Sequence, residues 1–341
     1  MAQRAFVERH IGATRPGVER LEGSSILAEL GAWRFGAASG LSRWRGAEGS
    51  AVLKARQRDD ELHGVLARVF AMASDELGAS WREYGLEAGL LGAHLRETQL
   101  LADPRLAAHG PRHLGTHVDE ARGQRWLLME DLGDLELMDS AERPEDWTDA
   151  HLSAAVEGLA SIHAAHLGRA AELEERPWIG APPTPDRLRR LAPLWRALTG
   201  SAADDFHEWG GADLAGALDG LLGGSPSGTP STLIHGDFNP RNLGFRRSDT
   251  GPSLVAYDWE LATVDVPQRD LVELLAFVGP EDPERWIEAH RVALQRATGV
   301  ALDADAWALD TARARQALLV TRLTAYHVIH RARRQRFLPR T

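Results

Sequence analysis

The side chains best suited to chemistry lie between positions 235 and 258. His235, Asp237 and Asn242 form the pattern His-x-Asp-x-x-x-x-Asn, and Asp258 follows an apolar run at 254–257. Two short strand-like segments flank the turn residues 248–251, which predicts an antiparallel hairpin. Because a hairpin brings its two ends together, Asn242 and Asp258 should lie side by side, with Asp237 one loop away.

These residue types fit phosphoryl-transfer chemistry. One carboxylate and one carboxamide suit Mg²⁺, which takes few protein ligands and keeps positions for water and phosphate. Asp237 is then left to accept a proton from an incoming hydroxyl, or to orient that hydroxyl. The kinase template combines this spacing with a second aspartate for Mg²⁺ and an upstream strand lysine paired to a helix glutamate.

The chain contains a single lysine, Lys54, beside 38 arginines. A coding bias explains the missing lysines, but a lysine offers a compact point charge on a flexible stem that arginine cannot reproduce. Lys54 ends the apolar strand predicted at 51–53, as the kinase template requires. A helix is predicted over 81–97, and we expect Glu87 on it to pair with Lys54. Glu83, one turn earlier on a similar face, is the alternative partner.

Three short segments resemble the aminoglycoside phosphotransferase and choline kinase superfamily. The segment 233–245 resembles its catalytic loop, and Leu159-Ala-Ser-Ile-His163 resembles the helix that precedes that loop. The segment 127–132, Leu-Leu-Met-Glu-Asp-Leu, resembles its hinge. The resemblance spans roughly residues 30–330, although only these short motifs are specific. It implies an ATP-dependent kinase of small-molecule hydroxyl groups with a protein-kinase-like fold.

Carried over to this chain, the resemblance implies a role for each matching residue. Asp237 becomes the catalytic base, and Asn242 and Asp258 become Mg²⁺ ligands. Lys54 binds the α- and β-phosphates of ATP and pairs with Glu87.

The resemblance also assigns residues around the nucleotide and the loop. The backbone at Glu130 and Leu132 holds the adenine, and Asp270 supports the catalytic loop. For Asp270 a plain helix N-cap is an equally good interpretation.

The sequence departs from the protein-kinase pattern in several places. The glycine-containing turn at 36–40 lacks the full Gly-x-Gly-x-x-Gly, so backbone amides at Gly40 and the Ser39 hydroxyl are expected to hold phosphate. Gly236 stands where protein kinases have arginine, and the metal segment is Asp258-Trp-Glu. No Ala-Pro-Glu segment follows, which argues against a protein substrate.

The predicted elements that position these residues describe an α+β, protein-kinase-like, two-lobed fold. A small antiparallel sheet with one long helix is expected in residues 1–132, after a leader at 1–30. The remainder, 133–341, is expected to form a larger, mostly helical catalytic and substrate-binding lobe. The shift in charge falls at the same point. Residues 1–132 carry 17 basic and 18 acidic groups, and residues 133–341 carry 22 and 31.

Composition excludes several classes of protein. The net charge of −10 disfavours nucleic-acid binding, and zero cysteines exclude disulfides and thiol chemistry. No apolar run approaches the roughly 18 residues of a membrane span, and no signal peptide is recognisable. We therefore expect a cytoplasmic protein with no membrane partner.

The acceptor is the least specified part of the function. The acidic second lobe would suit a cationic acceptor, although many proteins are acidic for solubility alone. An aminoglycoside or another amino or nucleoside antibiotic is the first expectation, and a choline-like alcohol or sugar is the alternative. A non-catalytic ATP-binding module is the other class considered. Resistance, biosynthetic and housekeeping roles all stay open.

Overall fold

The computed structural model describes residues 2–14, 19–21, 40–56, 59–208, 213–224, 227–249 and 251–334. Most of the phosphate turn at 36–40, including Ser39, lies outside these residues. Gly40 is described and has a positive φ of 118°.

The N-terminal part contains the expected antiparallel sheet. After helix α1 (Ala2–Ile11) come the strands β1 (Glu19–Leu21), β2 (Gly40–Gly46), β3 (Gly49–Ala55), β4 (His113–Asp119) and β5 (Gln124–Glu130). Their order is β1-β2-β3-β5-β4, and every pair is antiparallel.

Strand β3 is buried on both faces, and its alternation decides where Lys54 points. Ala51 and Leu53 pack with α1, whereas Val52 packs into the main core. Lys54 is two residues beyond Val52 and shares its face. The lysine therefore points toward the C-terminal part of the chain.

The single helix expected over 81–97 is wrong. Four segments fill the connection from β3 to β4: α2 (Asp59–Ala73), α3 (Asp75–Tyr84), a π-helical turn (Leu86–Leu90) and α4 (Ala93–Leu101). Gly89 and Gly92 interrupt the pattern with φ values of 144° and 80°, which favour glycine. The apolar residues at 86–95 are therefore spaced across two interruptions of the helix and do not form one helical face.

The rest of the chain is mostly helical, as expected. Its helices are α5 (Asp149–Ala164), α6 (Ala170–Glu174), α7 (Pro185–Arg190), α8 (Ala192–Glu208), α9 (Leu214–Gly223), α10 (Gln268–Val278), α11 (Pro283–Thr298), α12 (Ala304–Leu318) and α13 (Thr324–Arg334). A second π-helical turn, Leu319–Leu323, joins α12 to α13.

Short strands lie between α9 and α10. They are β6 (Thr232–Ile234), β7 (Leu243–Arg246), β8 (Ser253–Ala256) and β9 (Thr263–Asp265). The predicted hairpin is confirmed: β7 pairs with β8 from Leu243–Ala256 to Arg246–Ser253.

Two large apolar clusters hold the C-terminal helices and the connecting helices together. The larger one surrounds the hairpin and α5, and the second joins α2 and α3 to α8, α9 and α13. Residues 59–90 thus pack with the C-terminal helices, and the boundary at 132 stays a prediction. None of the described helices has both the length and the apolar character that crossing a membrane requires.

Candidate active site

The loop that follows β6 is shaped by one glycine and one buried aspartate. Gly236 has a φ of 75°, and a Cβ there would lie 2.3 Å from the Leu261 carbonyl oxygen, so a larger side chain is excluded. Asp270, fully buried in the first turn of α10, accepts hydrogen bonds from the backbone N–H groups of His235 (2.6 Å) and Gly236 (2.9 Å). Pro267 precedes the helix, so Asp270 supports the loop and is not an N-cap.

The Asp237 carboxylate is surrounded by donors. Its Oδ1 accepts from Asn239 Nδ2 at 2.8 Å, from the Tyr326 hydroxyl at 2.5 Å and from the Arg322 guanidinium. Its Oδ2 accepts from Asn242 Nδ2 at 2.8 Å. Burial alone would raise the pKa of Asp237, but Arg322 and Tyr326 hold it below its usual range. Asp237 is therefore an anion at neutral pH, as a hydroxyl-orienting base must be.

Asn242 and Asp258 meet at the open end of the β7–β8 hairpin. The Tyr257 N–H donates to the Asn242 carbonyl at 3.0 Å, which joins the two segments directly beside both side chains. Asn242 Nδ2 donates to the side chain and the carbonyl of Asp237, which leaves the amide Oδ1 as its remaining side-chain ligand atom. Asp258 uses Oδ1 to accept from Lys54. One amide oxygen and one carboxylate, lining a shared cavity, fit a Mg²⁺ ion.

Lys54 reaches the site from the sheet. Its Nζ lies 2.7 Å from Asp258 Oδ1 and 2.8 Å from Glu97 Oε2. Although burial would lower it, these two carboxylates hold the pKa of Lys54 above its usual range. The lone lysine is thus a permanently charged group beside the expected metal ligand.

Glu87 does not pair with Lys54. It lies on the π-helical turn, 42% exposed, and pairs with Arg190 at 2.6 Å. Glu83 is exposed on α3 and does not replace it. Neither Glu87 nor Glu83 pairs with Lys54, because Gly89 and Gly92 turn the chain before α4 begins. The helical segments that carry the two glutamates are thereby separated from the sheet.

Glu97 is the residue that the sequence reasoning missed. It is 1% exposed, and its carboxylate also binds Arg56 at 2.6 Å and the Asp258 N–H at 3.1 Å. Arg56 in turn pairs with Glu260 at 2.6 Å. The apolar pair Leu100-Leu101 could have indicated this residue, because it extends the helical pattern past 97 and places Glu97 in the middle of a helix.

Arg96, beside Glu97, fixes the position of α4. It is completely buried and donates to the backbone carbonyls of Trp178 (3.0 Å), Gly89 (3.1 Å), Leu91 (2.5 Å) and Glu260 (2.5 Å). Because these carbonyls come from separate segments, one side chain holds the helix against the metal segment.

The predicted hinge lies at the end of β5. Glu130 accepts from the Arg112 N–H at 2.9 Å and from Arg246 at 2.6 Å, and Leu132 is buried. Asp131 pairs with Arg43 of β2 at 2.7 Å. The hinge side chains are thus engaged with the protein, so any adenine contact there must come from the backbone.

Arg322 and Tyr326 are also outside the sequence-based expectations. The π-helical turn Leu319–Leu323 directs Arg322 at Asp237, and Tyr326 follows on α13. Such turns occur often at functional sites. Nothing local marks these residues, because 85 positions separate Arg322 from its partner.

Glu273 gives the site a pH-dependent stability. Burial raises its pKa to about 8 against the opposing charge of Arg322, 3.6 Å away. Because the pKa of Glu273 is higher in the folded state, protonation of this group stabilises the fold. That contribution to the unfolding free energy is fully present below the unfolded pKa near 4.3 and is lost as the pH rises through 8.

We expect the wild type to lose roughly 1–2 kcal/mol more unfolding free energy than Glu273→Gln between pH 6 and pH 8. Glutamine keeps an acceptor for Asn239, which donates to Glu273 at 3.0 Å, so the variant should fold. Denaturant titrations at both pH values measure the difference. Parallel losses in the two proteins would rule out Glu273 as the titrating group.

Comparisons with known proteins agree with this geometry. A family model described as "Phosphotransferase enzyme family" matches residues 87–309. No curated protein matches the chain.

Solved structures match over nearly the whole chain at low identity. Spectinomycin phosphotransferase APH(9)-Ia, solved with ADP and spectinomycin, is 11% identical with a TM-score of 0.52 and covers 100% of this chain and 95% of its own. A microcompartment-associated aminopropanol kinase is 15% identical with a TM-score of 0.50 and covers 97% and 93%. Choline kinase LicA from Streptococcus pneumoniae is 13% identical with a TM-score of 0.49 and covers 99% and 94%.

The two higher scores show a shared kinase-like fold. The family model spans well over half of the chain and contains the catalytic loop, the hairpin and Glu97. The chain therefore belongs to the phosphotransferase enzyme family.

Proposed function

We propose that this chain transfers the γ-phosphoryl group of Mg-ATP to a hydroxyl group of a small molecule. The observation that carries the proposal is the placement of Asp237, Asn242 and Asp258 around one cavity. The buried Lys54–Glu97 pair lies directly behind them.

The acceptor hydroxyl would bind at Asp237 Oδ1. The Tyr326 hydroxyl lies 2.5 Å from that atom, which also accepts from Asn239 and Arg322, so the acceptor hydroxyl would take the place of the Tyr326 hydroxyl. The new P–O bond forms to the acceptor oxygen, the bond from γ-phosphorus to the bridging oxygen breaks, and ADP leaves. Asp237 receives the hydroxyl proton. Catalysis of this kind relies on positioning and charge neutralisation.

The metal site follows from the same side chains. Asn242 Oδ1 and the Asp258 carboxylate would hold Mg²⁺, which neutralises phosphate charge when bound. Before the nucleotide enters, Lys54 occupies Asp258 Oδ1. Lysine can then turn toward phosphate while Glu97 keeps it in place.

The nucleotide would lie between the hinge and the first strands. We assign adenine recognition to the backbone at Glu130 and Leu132, and phosphate contacts to Gly40, Ser39 and Lys54. The spectinomycin phosphotransferase of similar fold was solved with ADP, which supports a nucleotide as the donor.

Lys54→Arg is expected to lower kcat/KM for ATP by roughly tenfold to a hundredfold. The planar guanidinium is too wide for a position already shared with Arg56, and it cannot serve Glu97 and phosphate as a point charge can. Steady-state ATP kinetics test this, with circular dichroism as the folding control. Full activity in Lys54→Arg would make the lone lysine an accident of composition.

The direct test of the reaction is a transfer assay. Purified protein is incubated with Mg-ATP and a panel containing kanamycin, spectinomycin, choline and aminopropanol, and new phosphate esters are detected by ³¹P NMR. An acceptor-dependent ester supports the proposal. ATP binding with no ester from any hydroxyl compound would favour the non-catalytic module instead.

The acceptor classes expected from sequence differ in charge. An aminoglycoside or other amino or nucleoside antibiotic, with a resistance role, follows from the acidity of residues 133–341, and a choline-like alcohol or sugar is the alternative. Among the residues that the structure describes, the carboxylates that line the cavity all have polar partners, which weakens the case for a cationic acceptor. A cytoplasmic location would follow from the need for ATP.

A further inference from the structure

The cavity beside Asp237 has a predominantly apolar wall. Its volume is about 230 Å³. Apolar side chains from several helices line it, among them Leu66, Phe70, Trp81, Trp195, Leu318 and Ile329. The catalytic aspartate thus lies at the edge of a space whose walls favour apolar groups.

The carboxylates in that wall already have polar partners. Seven line the cavity: Glu87, Asp237, Asp258, Glu260, Asp265, Asp270 and Glu273. In the part of the chain that the structure describes, each has an arginine, lysine, N–H or hydroxyl partner. Arg241 adds a positive charge to the same wall, stacked 5.2 Å from Phe277 and 5.1 Å from Tyr326. A cationic acceptor would have to displace one of these partners.

Part of the apolar wall comes from segments outside the family match at 87–309. Leu66 and Phe70 lie on α2 and Trp81 on α3, before that range, and Leu318 and Ile329 come after it. Leu66, Phe70, Trp81 and Ile329 belong to one apolar cluster, so α2, α3 and α13 form this part of the wall together. The apolar wall is therefore built by helices near both ends of the chain together with residues around the catalytic loop.

We propose that the phosphoryl acceptor has an apolar body, which lies against this wall, and presents one hydroxyl to Asp237. The inference rests on the proposed function for the role of that hydroxyl, but the cavity chemistry is independent of it. An apolar cavity of about 150 Å³ takes benzene, so by proportion this one takes a body of at most roughly nine heavy atoms, because its part beside Asn242 and Asp258 is left to metal and phosphate. An aromatic or alicyclic alcohol fits that description, and a polycationic sugar does not.

The test is a series of alcohols that differ only in apolar length. Benzyl alcohol, phenylethanol and phenylpropanol are titrated by calorimetry into the full chain loaded with Mg²⁺ and a non-hydrolysable ATP analogue. Choline and kanamycin are the charged comparisons. Affinity should rise roughly threefold to fourfold per methylene. Tighter binding of choline or kanamycin, with no gain along the series, would overturn the proposal.

A variant pair locates the binding site. Leu188 lines the cavity and is half-buried, so Leu188→Asp adds a carboxylate to the wall. We expect at least tenfold weaker phenylpropanol binding and a relative gain for choline. Leu309→Asp makes the same change at a 53% exposed position outside the cavity and should leave both affinities unchanged. Equal effects of the two substitutions would place the alcohols elsewhere.

Failure of this inference can be told from failure of the proposed reaction. If the alcohols bind as expected but no ester forms with ATP, the cavity is an apolar ligand site without phosphoryl transfer. If esters form only with kanamycin or choline, the reaction stands and the apolar acceptor is wrong.

Discussion

Asp237→Asn is expected to lower kcat by roughly 10²–10⁴-fold, with the KM for ATP changed little. The amide cannot receive the acceptor's proton. It also loses the negative charge that Arg322 and Tyr326 hold in place. Because the proposed role of Asp237 is to bind the acceptor hydroxyl, and its contact with Asn242 is to Nδ2, the loss should appear in kcat.

Structural damage is the competing explanation for such a loss. Removing the charge leaves Arg322 with Glu273 at 3.6 Å, so some loss of stability is expected as well. Asp305→Asn, at an exposed position on α12, makes the same change without those contacts. Turnover and melting temperature are measured for both variants. Asp237→Asn with turnover within a factor of two of the wild type would remove Asp237 from the chemistry.

Glu97→Gln should have the second largest effect. The glutamate is buried against Lys54 and Arg56, and glutamine keeps the shape but removes the charge. Removing one partner of a buried ion pair costs about 3 kcal/mol or more. Here Asp258 and Glu260 still face the two cations, so the lower end applies. We also expect kcat/KM for ATP to fall by roughly tenfold to a hundredfold, because Lys54 loses its positioning partner.

Glu87→Gln provides the matched control for that substitution. Glu87 pairs with the 58% exposed Arg190, and exposed ion pairs contribute little. Its melting temperature and ATP kinetics should stay close to those of the wild type. A larger effect from Glu87→Gln than from Glu97→Gln would restore the assignment expected from sequence.

The catalytic loop and hairpin were predictable because their determinants are local. A turn at 248–251 and two apolar strands fix the hairpin, and the hairpin brings Asn242 to Asp258 without help from the rest of the fold. The strand that carries Lys54 was predictable for the same reason, from the apolar run at 51–53. These features depend on residues that are close together in sequence.

The lysine's partner and the acceptor wall were not predictable in this way. Selecting Glu97 over Glu87 requires knowing that Gly89 and Gly92 turn the chain. From the sequence alone, the two glycines are equally compatible with one continuous helix. Arg322 and Tyr326 reach Asp237 only after α12 and α13 have packed. The net acidity favoured a cationic acceptor. Whether each carboxylate has a partner depends on the tertiary structure, which the composition does not reveal.

Asn242 and Asp258 are proposed to hold the metal of this phosphotransferase. The most direct measurement is ATP affinity by calorimetry with and without Mg²⁺, in the wild type and in Asp258→Ala, because it needs no knowledge of the acceptor. We expect Mg²⁺ to tighten ATP binding by roughly tenfold or more in the wild type and to have little effect in Asp258→Ala. Metal-independent ATP binding that is the same in both proteins would show that these residues do not hold the metal.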